Sequence, residues 1–588
     1  MPKDALITLS VVVATFNRRE MLSKCLRALK AQDFPRSRFE VIVVVDGSTD
    51  GTEDFLKDCD FGPRLQVLVQ ENRGLAAARN AGLQAAKQEV VLFLDDDLLC
   101  APNVLSEHAR AHEGKSRIVA FGPVLVSPNA PGDVATQTTS SYYAEAVYGP
   151  LERGEEPSWP VHARVPPNSS MSRRLLMAMG GFDERFVNAH EDIELGIRLW
   201  QEGLKFTYLP NATAEHVYEK RVNELAVNEA VRAGKVEVML CRKHPIYRAH
   251  SMLAGIQETR LFQGVAGKMI AQSPAGAKIA SNLLAVVRKS GLASTLKVDE
   301  RELLGKEVNV NLQRSALQEA GSWPSFQREF WIQLPVLLYH GVGEFKRGMG
   351  AELTVAPHQF AEQMAWLAEH GFHPISCSDW LAWLDSAKPL PPKPIIITFD
   401  DAYAELAEHA LPVLAKYGFR ATVYVPTRRI GESNKWDQER GFSRVDIMNA
   451  DTIRWWAANG IEFGAHSRTH PELDTIPAEQ LGDEIEGSRK ELEQICGIVP
   501  DSFAYPYGSY NRLVKEVTER SFRIAVTTEE GMNHLGTDPL RLKRAMVHPT
   551  DSLLEFASRV TFGVNLLQNA KARVRGILDS RLGSDSVQ

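Results

Sequence analysis

Two runs of aspartate stand where strongly apolar stretches of the sequence end. The stretch VVLFLDDDLL contains Asp95, Asp96 and Asp97, and the stretch PIIITFDDAY contains Asp400 and Asp401. Adjacent carboxylates repel one another and are costly to remove from water, so each run predicts a cation close by. The two runs either form two copies of one kind of site or serve two different chemical reactions.

The first run is predicted to bind a divalent cation. Asp95 and Asp97 are expected on the same side of an extended chain end, where carboxylate oxygens favour Mg²⁺ or Mn²⁺, ions that also bind a diphosphate. Three aspartates after a strand are weak evidence alone, because solvated acidic loops are common. Other motifs accompany them, namely TFNR, VVDGSTDGT, NRGLAAARN, GGFDERFVNAHEDIELGIRLW and ATAEHVY.

The second run is followed, one strand–helix–strand unit later, by the motif FGAHSRTH. His466 and His470 are four residues apart, so a helical turn or a tight loop can bring both rings to one metal. One aspartate and two histidines with open coordination positions suit Zn²⁺ or a similar transition metal that activates water. The alternative for an isolated His-x-x-x-His pair is an exposed polar loop, and the strand-end aspartates argue against it.

The elements that position these residues are predicted to be of the α/β class. Over the first hundred residues, short apolar strands alternate with helices, which predicts a parallel sheet with ligands at the carboxyl ends of its strands. The region 226–325 is predicted to be a helical extension and linker. From IQLPVLLYHGV onward the alternation resumes and predicts a distorted (β/α) barrel over 326–560, followed by a basic amphipathic tail, 561–588.

Composition narrows the class of protein. A chain of 588 residues with net charge −7 predicts two domains and gives no reason to expect a nucleic-acid partner. Its six cysteines are scattered, which is typical of reduced thiols in a cytoplasmic protein. The N-terminus is interpreted as a first strand and not as a signal peptide. The tail is interpreted as a docking helix in preference to a membrane-surface anchor, and peripheral association with the inner face of a membrane stays open.

Residues 6 to about 220 resemble the family 2 glycosyltransferases, because five separate blocks occur in that family's order. The resemblance implies a GT-A, Rossmann-like fold that binds a nucleotide sugar, with UDP as the expected nucleotide. It also implies a nucleotide-sugar pocket that includes Thr15, Asn17, Asp46, Arg79, Asp95 and Asp96.

The same resemblance implies the groups that carry out transfer. Asp95 and Asp97 match the Asp-x-Asp motif that holds a metal on the diphosphate, and His216 matches a histidine that completes the metal shell. Asp192 matches the catalytic base, with Glu191 beside it. An inverting transfer needs such a carboxylate to deprotonate the acceptor hydroxyl while a metal neutralises the leaving diphosphate. The alternative is that both acids merely favour the first turn of a helix, where the helix dipole stabilises them.

Residues from about 333 to 550 resemble the polysaccharide deacetylases of carbohydrate esterase family 4. The matching blocks are LPVLLYHGVGE, PIIITFDDAY, FRATVYVP, IEFGAHSRTHPEL and FAYPYGSYN. The resemblance implies metal-assisted amide hydrolysis with Asp400 as general base. By the same matching, the metal ligands are Asp401, His466 and His470, and the backbone N–H of Tyr507 holds the oxyanion.

The second half departs from that family at two points. Ala504 stands where many members have an arginine that pairs with the catalytic aspartate, and the family's Asp-Trp block is not identifiable. The late histidine that serves as general acid is assigned to His548. His340 either lines the barrel mouth or is a structural histidine.

The joint prediction is a bifunctional cytoplasmic enzyme. One half transfers a sugar from a nucleotide-sugar donor to a glycan or lipid-linked acceptor, and the other removes an N-acyl group from an amino sugar. Two alternatives stay open. Either only the transferase works and the second half is a degenerate glycan-binding domain, or the chain is a non-catalytic assembly factor.

Overall fold

The computed structural model describes residues 7–568 except 63, 128–133, 166, 188, 218–223, 257–271, 291–297, 345–352, 387–389, 439, 498 and 567. The chain divides into two compact units, Met1–Trp323 and Pro324–Gln588. Each unit has its own sheet and its own hydrophobic core. The α/β class predicted from the strand–helix alternation is confirmed.

The first unit is built on a seven-stranded sheet of order β3-β2-β1-β4-β8-β6-β9, accompanied by a three-stranded sheet of order β5-β10-β7. Strands β1 to β4 are parallel, and β8 is antiparallel to both of its neighbours. The strands are β1 Leu9–Thr15, β2 Phe39–Asp46, β3 Leu65–Gln70, β4 Val90–Asp95, β5 Leu98–Cys100, β6 Ile118–Phe121, β7 Val124–Val126, β8 Ser169–Ser172, β9 Lys205–Tyr208 and β10 Ala214–His216.

Burial on both faces explains the continuous apolar runs of the central strands. In β1, Val11 and Val13 belong to the core on one face of the sheet, whereas Val12 belongs to the core on the other. Successive side chains of a strand point to opposite faces, so a sheet that is covered twice needs an apolar residue at every position. The covering helices are α1 Arg19–Lys30, α2 Thr52–Lys57, α3 Leu75–Ala85, α4 Val104–Ala111, α5 Val134–Tyr142, α6 Gly149–Glu152, α7 Arg173–Ala178 and α8 Glu191–Gln201.

The predicted helical extension is helical where it is described. It contains a π-helical turn, Glu224–Glu229, and helices α9 Ala230–Lys243, α10 Pro274–Lys289 and α11 Glu300–Ala320. At Gly234 a side chain would meet the backbone of α11, since a Cβ there would lie 2.1 Å from the Leu312 carbonyl oxygen. The absence of a side chain therefore allows α9 and α11 to approach closely. Helix α12, Trp323–Phe330, spans the boundary between the two units.

The second unit is a distorted barrel of parallel strands, as predicted. Its sheet has the order β19-β18-β17-β16-β15-β11-β20, and β14 also pairs with β15. Leu542 bridges to Val526 at the end of β19, and three residues later the same segment pairs with β11 as β20. The strands are β11 Val336–Tyr339, β12 Gly341–Val342, β13 Thr354–Val355, β14 His373–Ile375, β15 Pro394–Phe399, β16 Thr422–Val425, β17 Glu462–Ala465, β18 Ser502–Ala504, β19 Ile524–Val526 and β20 Ala545–Met546.

Helices follow most strands of the barrel and cover its outside. They are α13 Pro357–Glu369, α14 Cys377–Asp385, α15 Leu406–His409, α16 Leu411–Tyr417, α17 Lys435–Gln438, α18 Ala450–Ala458, α19 Ala478–Cys496, α20 Arg512–Ser521 and α21 Leu553–Phe562. The predicted tail helix falls largely on 567 and 569–588, which lie outside the described residues. The five cysteines with described side chains are free thiols. Within the described part of the chain, the helices are too short or too polar to cross a membrane.

A buried ion cluster ties α8 to the end of α9. The Glu194 carboxylate is fully buried and accepts hydrogen bonds from Arg198 at 2.8 Å, Lys243 at 2.5 Å and His244 at 3.1 Å. Burial alone would raise the pKa of Glu194, but these three donors lower it to about 2. A carboxylate whose pKa is lower in the folded state stabilises the fold above its ordinary pKa and loses that contribution as pH falls.

Replacement of Glu194 by Gln should therefore destabilise the first unit by about 3 kcal/mol at neutral pH, because it leaves cations facing an amide in a buried site. The loss should shrink as pH falls from the ordinary carboxylate pKa of 4.5 toward 2. Urea unfolding of the full chain at several pH values measures this, with the exposed Glu113→Gln as matched control. An equal loss at pH 7 and pH 3 would contradict the assignment.

Candidate functional sites

The first candidate site is a cavity at the carboxyl ends of β1, β2 and β4, with a volume of about 730 Å³. Parallel strands bring their carboxyl ends to one edge of a sheet, which is where ligands bind in open α/β folds. Predicted site residues that line it are Thr15, Asp46, Asp95, Asp96, Asp97 and His216. The helical extension contributes to the same cavity through Glu229 and Arg232.

Two arginines supply the cations that the three aspartates require. Arg79 is buried and bridges two carboxylates, with 2.8 Å to Asp95 and 2.9 Å to Glu191. Arg18 lies 3.1 Å from Asp96 and 2.7 Å from Asp97, and its side chain is 45% exposed. Arg79 is thus buried between its two partners, whereas Arg18 binds its two aspartates from the exposed side of the cluster.

The chain does not stay extended through the triple aspartate, and this expectation was wrong. Strand β4 ends at Asp95, the chain turns at Asp96 and Asp97, and β5 begins at Leu98. Because β5 pairs with β10, the turn places Asp97 Oδ1 at 3.2 Å from His216 Nε2. Asp95 and Asp97 consequently have different partners in the structure.

The three carboxylates differ in their proton affinity. Burial raises the pKa of Asp96 to about 6, although Arg18 and the Thr15 hydroxyl act in the opposite direction. The pKa of Asp97 is lowered, because His216 and Arg18 outweigh the effect of burial. Asp97 Oδ1 is buried and has no hydrogen-bond donor among the described residues, and it faces the His216 ring. An oxygen and a nitrogen in this arrangement fit a divalent cation.

Two predicted pocket residues hold loops in place. The Asp46 carboxylate accepts hydrogen bonds from the Gln70 side chain at 2.7 Å and from the backbone N–H groups of Arg73 and Gly74, each at 2.9 Å. Asn17 Oδ1 accepts from the backbone N–H of Thr49 at 2.7 Å. Asp46 therefore positions the segment that begins α3, and Asn17 positions the segment that follows β2.

Asp192 lies in the first turn of α8, next to two arginines. Its charge raises the pKa of the buried Arg164 against the effect of burial, and it raises the pKa of Arg79 as well. Burial raises the pKa of Tyr143, which lines the cavity, and the charge of Asp192 adds to that effect. In the neighbouring Glu191, burial raises the pKa to about 6 although Arg79 opposes it. The predicted base is thus within electrostatic reach of the cavity.

The second candidate site is a buried cluster of three ligand atoms. Asp401 Oδ1 lies 3.6 Å from His466 Nε2 and 3.3 Å from His470 Nε2, and the two ring nitrogens are 3.2 Å apart. All three residues are buried, and their ligand atoms lie within 4.8 Å of one another. Asp401 Oδ1 has no hydrogen-bond donor within the described chain. The predicted triad converges as a metal site requires.

The environment of the triad keeps its ligands in the form that binds a metal. His466 Nδ1 donates to the Ala504 carbonyl oxygen at 2.8 Å, which leaves Nε2 without a proton. Burial lowers the pKa of His466 to about 4, so the ring is neutral near pH 7. Burial would raise the pKa of Asp401, but His470 lowers it. Two nitrogens and one carboxylate oxygen are a donor set that suits Zn²⁺ or a related transition metal.

Asp400 is paired with an arginine that sequence reasoning missed. Arg544 Nη1 and Nη2 donate to the two Asp400 oxygens at 2.7 Å each, and both residues are buried. Burial would raise the pKa of Asp400, but Arg544 and His466 lower it. Ala504 stands at the position expected for this arginine, so the guanidinium reaches Asp400 from the segment that leads into β20.

Tyr507 and Trp436 enclose the His470 ring. The Trp436 ring is stacked on it with centroids 4.5 Å apart, and the Tyr507 ring meets it edge-on at 4.7 Å. Arg440 lies 4.5 Å above the Tyr507 ring. These aromatic groups border a groove of about 290 Å³ that also contains Arg429 and Lys435. The groove reaches the triad at His470, which is one of its lining residues.

Backbone strain is concentrated at this site. Among the described non-glycine residues nine have positive φ, and five of them belong to this site, namely Asp401, Ala402, Ser467, His470 and Tyr507. Left-handed backbone is unfavourable for residues with a Cβ and persists where packing enforces it, commonly at functional sites. The strain therefore fixes the triad and the backbone of Tyr507 in one geometry.

Two histidines stand at the mouth of the barrel. The register of β20, β11 and β15 places His548, His340 and Asp400 at one level, beyond the carboxyl ends of their strands. His340 lowers the pKa of both Asp400 and Asp401. The backbone N–H of His548 donates to Asp551 at 3.0 Å. The register therefore allows His548 to be the predicted proton donor. It also places His340 at the level of Asp400, beside the triad.

Several charged residues of the two sites were not found from the sequence as site residues, among them Arg18, Asp437, Arg164 and Arg544. Arg18 was part of the quoted TFNR motif, and Asp437 follows Trp436 directly, so both had a local signal. Burial raises the pKa of Asp437, and Asp401 adds to that effect. Arg164 and Arg544 have no motif and become visible only once the sheet brings distant segments together.

Comparisons with known proteins match each unit to a different enzyme family. Residues 10–180 match the family model described as glycosyl transferase family 2, and residues 387–521 match the model described as polysaccharide deacetylase. The chain combines domains of these two enzyme families. Both resemblances inferred from the sequence are therefore confirmed.

Individual relatives cover one half of the chain or the other. YxkH of Bacillus subtilis (strain 168), a protein named after the polysaccharide deacetylases, is 28% identical over 218 residues, which are 37% of this chain and 72% of YxkH. Validoxylamine A glucosyltransferase of Streptomyces hygroscopicus subsp. jinggangensis (strain 5008) is 29% identical over 251 residues, 37% of this chain and 59% of that protein. The crystal structure of BC0361, a polysaccharide deacetylase from Bacillus cereus, is 25% identical with a TM-score of 0.34 and covers 39% of this chain and 69% of that one.

The ion pair between Arg544 and Asp400 can be tested by its effect on stability. Arg544→Met should destabilise the second unit by about 3 kcal/mol, because an unpaired carboxylate is left buried. Arg544→Met combined with Asp400→Asn should recover most of that loss, since no buried charge is then left unpaired. Urea unfolding of the full chain measures both variants. Additive losses in the double variant would contradict a direct pair.

Proposed function

We propose that the first unit transfers a sugar from a nucleotide-sugar donor, and that the second unit removes an N-acetyl group from an amino sugar. Both steps would serve the biosynthesis of one glycan. The observation that carries the proposal is the convergence of Asp401, His466 and His470 beside the Asp400–Arg544 pair, in a chain whose other unit gathers three aspartates at a large cavity. The triad of the second unit suits a transition metal, and the three aspartates of the first unit suit a hard cation that binds a diphosphate.

In the transferase unit, Asp97 and His216 would hold Mg²⁺ or Mn²⁺, which would neutralise charge on the leaving diphosphate. Asp192 would take the proton of the acceptor hydroxyl. Thr15, Asp95 and Asp96 line the cavity that would receive the donor, and Arg79 fixes Asp95 relative to Glu191. Asp46 and Asn17 would contribute by positioning the loops that shape the nucleotide end of the pocket.

In the deacetylase unit, Asp401, His466 and His470 would hold Zn²⁺ or a similar metal, which would supply Lewis acidity toward water and the acyl carbonyl. Asp400 would accept the proton of the attacking water, and its partner Arg544 keeps it ionised and oriented. The backbone N–H of Tyr507 would donate to the developing oxyanion. His548 would protonate the leaving amine from the end of β20.

The geometry weakens the alternative of a degenerate second unit. That alternative rested on the lack of an arginine at position 504, and Arg544 provides a buried bidentate guanidinium to the same aspartate. Retention of this pair together with the complete triad is difficult to explain in a domain that only binds glycan. A cytoplasmic location is also part of the proposal. It is supported by the free thiols and by the nucleotide-sugar donors that the first unit is expected to use.

The transferase is tested by Asp192→Asn. Loss of the base should lower the transfer rate by about 100-fold or more with little change in donor binding, since the carboxylate acts on the acceptor. Release of nucleoside diphosphate from a panel of nucleotide sugars, with and without sugar acceptors, measures the rate. Asp58→Asn, at an exposed position, is the matched control, and a non-catalytic assembly factor would show the same result for all three proteins.

The deacetylase is tested by acetate release from N-acetylglucosamine oligomers and from UDP-N-acetylglucosamine. Chelation should abolish release, and added Zn²⁺ or Co²⁺ should restore it in the wild type but not in Asp400→Asn. The exposed Asp451→Asn is the matched control. Calorimetric titration with Zn²⁺ adds a readout that does not depend on substrate choice, because His470→Ala should lose binding whereas Asp400→Asn should retain it. Equal Zn²⁺ binding by the His470 variant would contradict the assigned triad.

A further inference from the structure

Helix α10, Pro274–Lys289, has an exposed aliphatic stripe. Ile279, Leu283 and Val286 are 62%, 62% and 59% exposed. Their spacing places them on one face of the helix, because residues three and four apart lie above one another. Isolated exposed apolar residues are ordinary on protein surfaces, but an aligned row of three on one helix indicates an interaction surface.

The orientation of the stripe is fixed by the opposite face of the helix. Ser281 Oγ accepts a hydrogen bond from the Asn311 side chain of α11 at 2.9 Å, and both residues are buried. Arg288 pairs with Glu307 of α11 at 3.0 Å, and both side chains are almost fully buried. The aliphatic stripe is therefore held outward by a packed and hydrogen-bonded inner face.

Basic residues surround the stripe in a chain that is acidic overall. Lys278 and Lys289 are exposed near its two ends. Helix α10 itself contains no acidic residue, although the whole chain has a net charge of −7. Its third basic residue, Arg288, is paired with Glu307, so Lys278 and Lys289 supply the charge beside the stripe. The local charge is thus complementary to an anionic surface.

We propose that α10 docks the protein on an anionic lipid bilayer. Ile279, Leu283 and Val286 enter the boundary between headgroups and acyl chains, and Lys278 and Lys289 contact the phosphates of the headgroups. None of these residues belongs to the cavity at β1, β2 and β4 or to the metal triad, so the proposal does not rest on either activity.

A second copy of the chain fits this surface less well. The three side chains expose well under half of the roughly 800 Å² per partner that a stable interface buries. The stripe also has no aromatic residue, whereas the centres of protein interfaces are enriched in Tyr, Trp and Phe. In a symmetric dimer, the lysines at the two ends of the stripe would face lysines of the second copy, and these like charges would repel one another.

Co-sedimentation of the purified full chain with lipid vesicles tests the proposal. Wild type should bind vesicles of phosphatidylcholine mixed with phosphatidylglycerol, and binding should fall with added salt, because lysine–phosphate attraction is screened. Vesicles of phosphatidylcholine alone should bind at least about tenfold more weakly. The combined substitution Ile279→Gln, Leu283→Gln and Val286→Gln should reduce binding to the anionic vesicles by about tenfold or more.

Two further variants separate the contributions. Lys278→Glu with Lys289→Glu should remove the preference for anionic lipid while leaving the aliphatic stripe intact. Leu554→Gln on α21, where the leucine is 68% exposed, is the matched control and should bind as wild type does. All of these positions are exposed, so the variants should keep the circular dichroism spectrum and unfolding midpoint of the wild type.

Three results would overturn the proposal. One is no binding of wild type to anionic vesicles, and another is equal binding by the triple glutamine variant. The third is a dimer, seen by light scattering in the absence of lipid, that the triple variant converts to a monomer, because the stripe would then be an interface between two copies. Nucleoside diphosphate and acetate release in solution should not change in any of these variants.

Discussion

Carboxylates gathered at the carboxyl ends of parallel strands need buried positive charge, and both units of this chain meet that need with arginine. In the first unit Arg79 lies between Asp95 and Glu191, and in the second Arg544 binds both oxygens of Asp400. A guanidinium is always protonated and presents a planar set of donors that matches a carboxylate. Arginine therefore compensates the buried negative charge of these acids and fixes their orientation at the same time.

This constraint separates two roles among adjacent aspartates. Asp400 is saturated by Arg544, whereas Asp401 Oδ1 has no donor in the described structure and faces the imidazoles of His466 and His470. In the first unit Asp95 is held by Arg79, whereas Asp97 faces His216 and an arginine that is half exposed. In each unit one acid is fixed by the protein, and a neighbouring acid is left available to an incoming cation.

Much of the fold and of the two sites could be predicted from the sequence, because part of the information that determines them is local. Apolar strands that end in acids, and histidines four residues apart, indicate strand-end sites by composition and spacing alone. The α/β class, the barrel and a metal site made of one strand-end aspartate with His466 and His470 could be predicted in this way, whereas the choice of Asp401 over Asp400 came from the family resemblance. The turn at Asp96 and Asp97 could not, because it depends on the pairing of β5 with β10, more than a hundred residues away.

Arg544 shows why the rest of the second site could not be predicted from the sequence. A motif assigns the arginine to a position in the sequence, here 504, but the chemistry needs a guanidinium at a position in space. Ala504 still contributes, because its carbonyl oxygen accepts the Nδ1 proton of His466 and thereby sets the tautomer of a metal ligand. The barrel places Ala504 and Arg544 beside the same strand-end acids from two different strands. Loss of a motif residue is therefore weak evidence for loss of activity in a curled parallel sheet, where several segments can deliver one side chain to the same point.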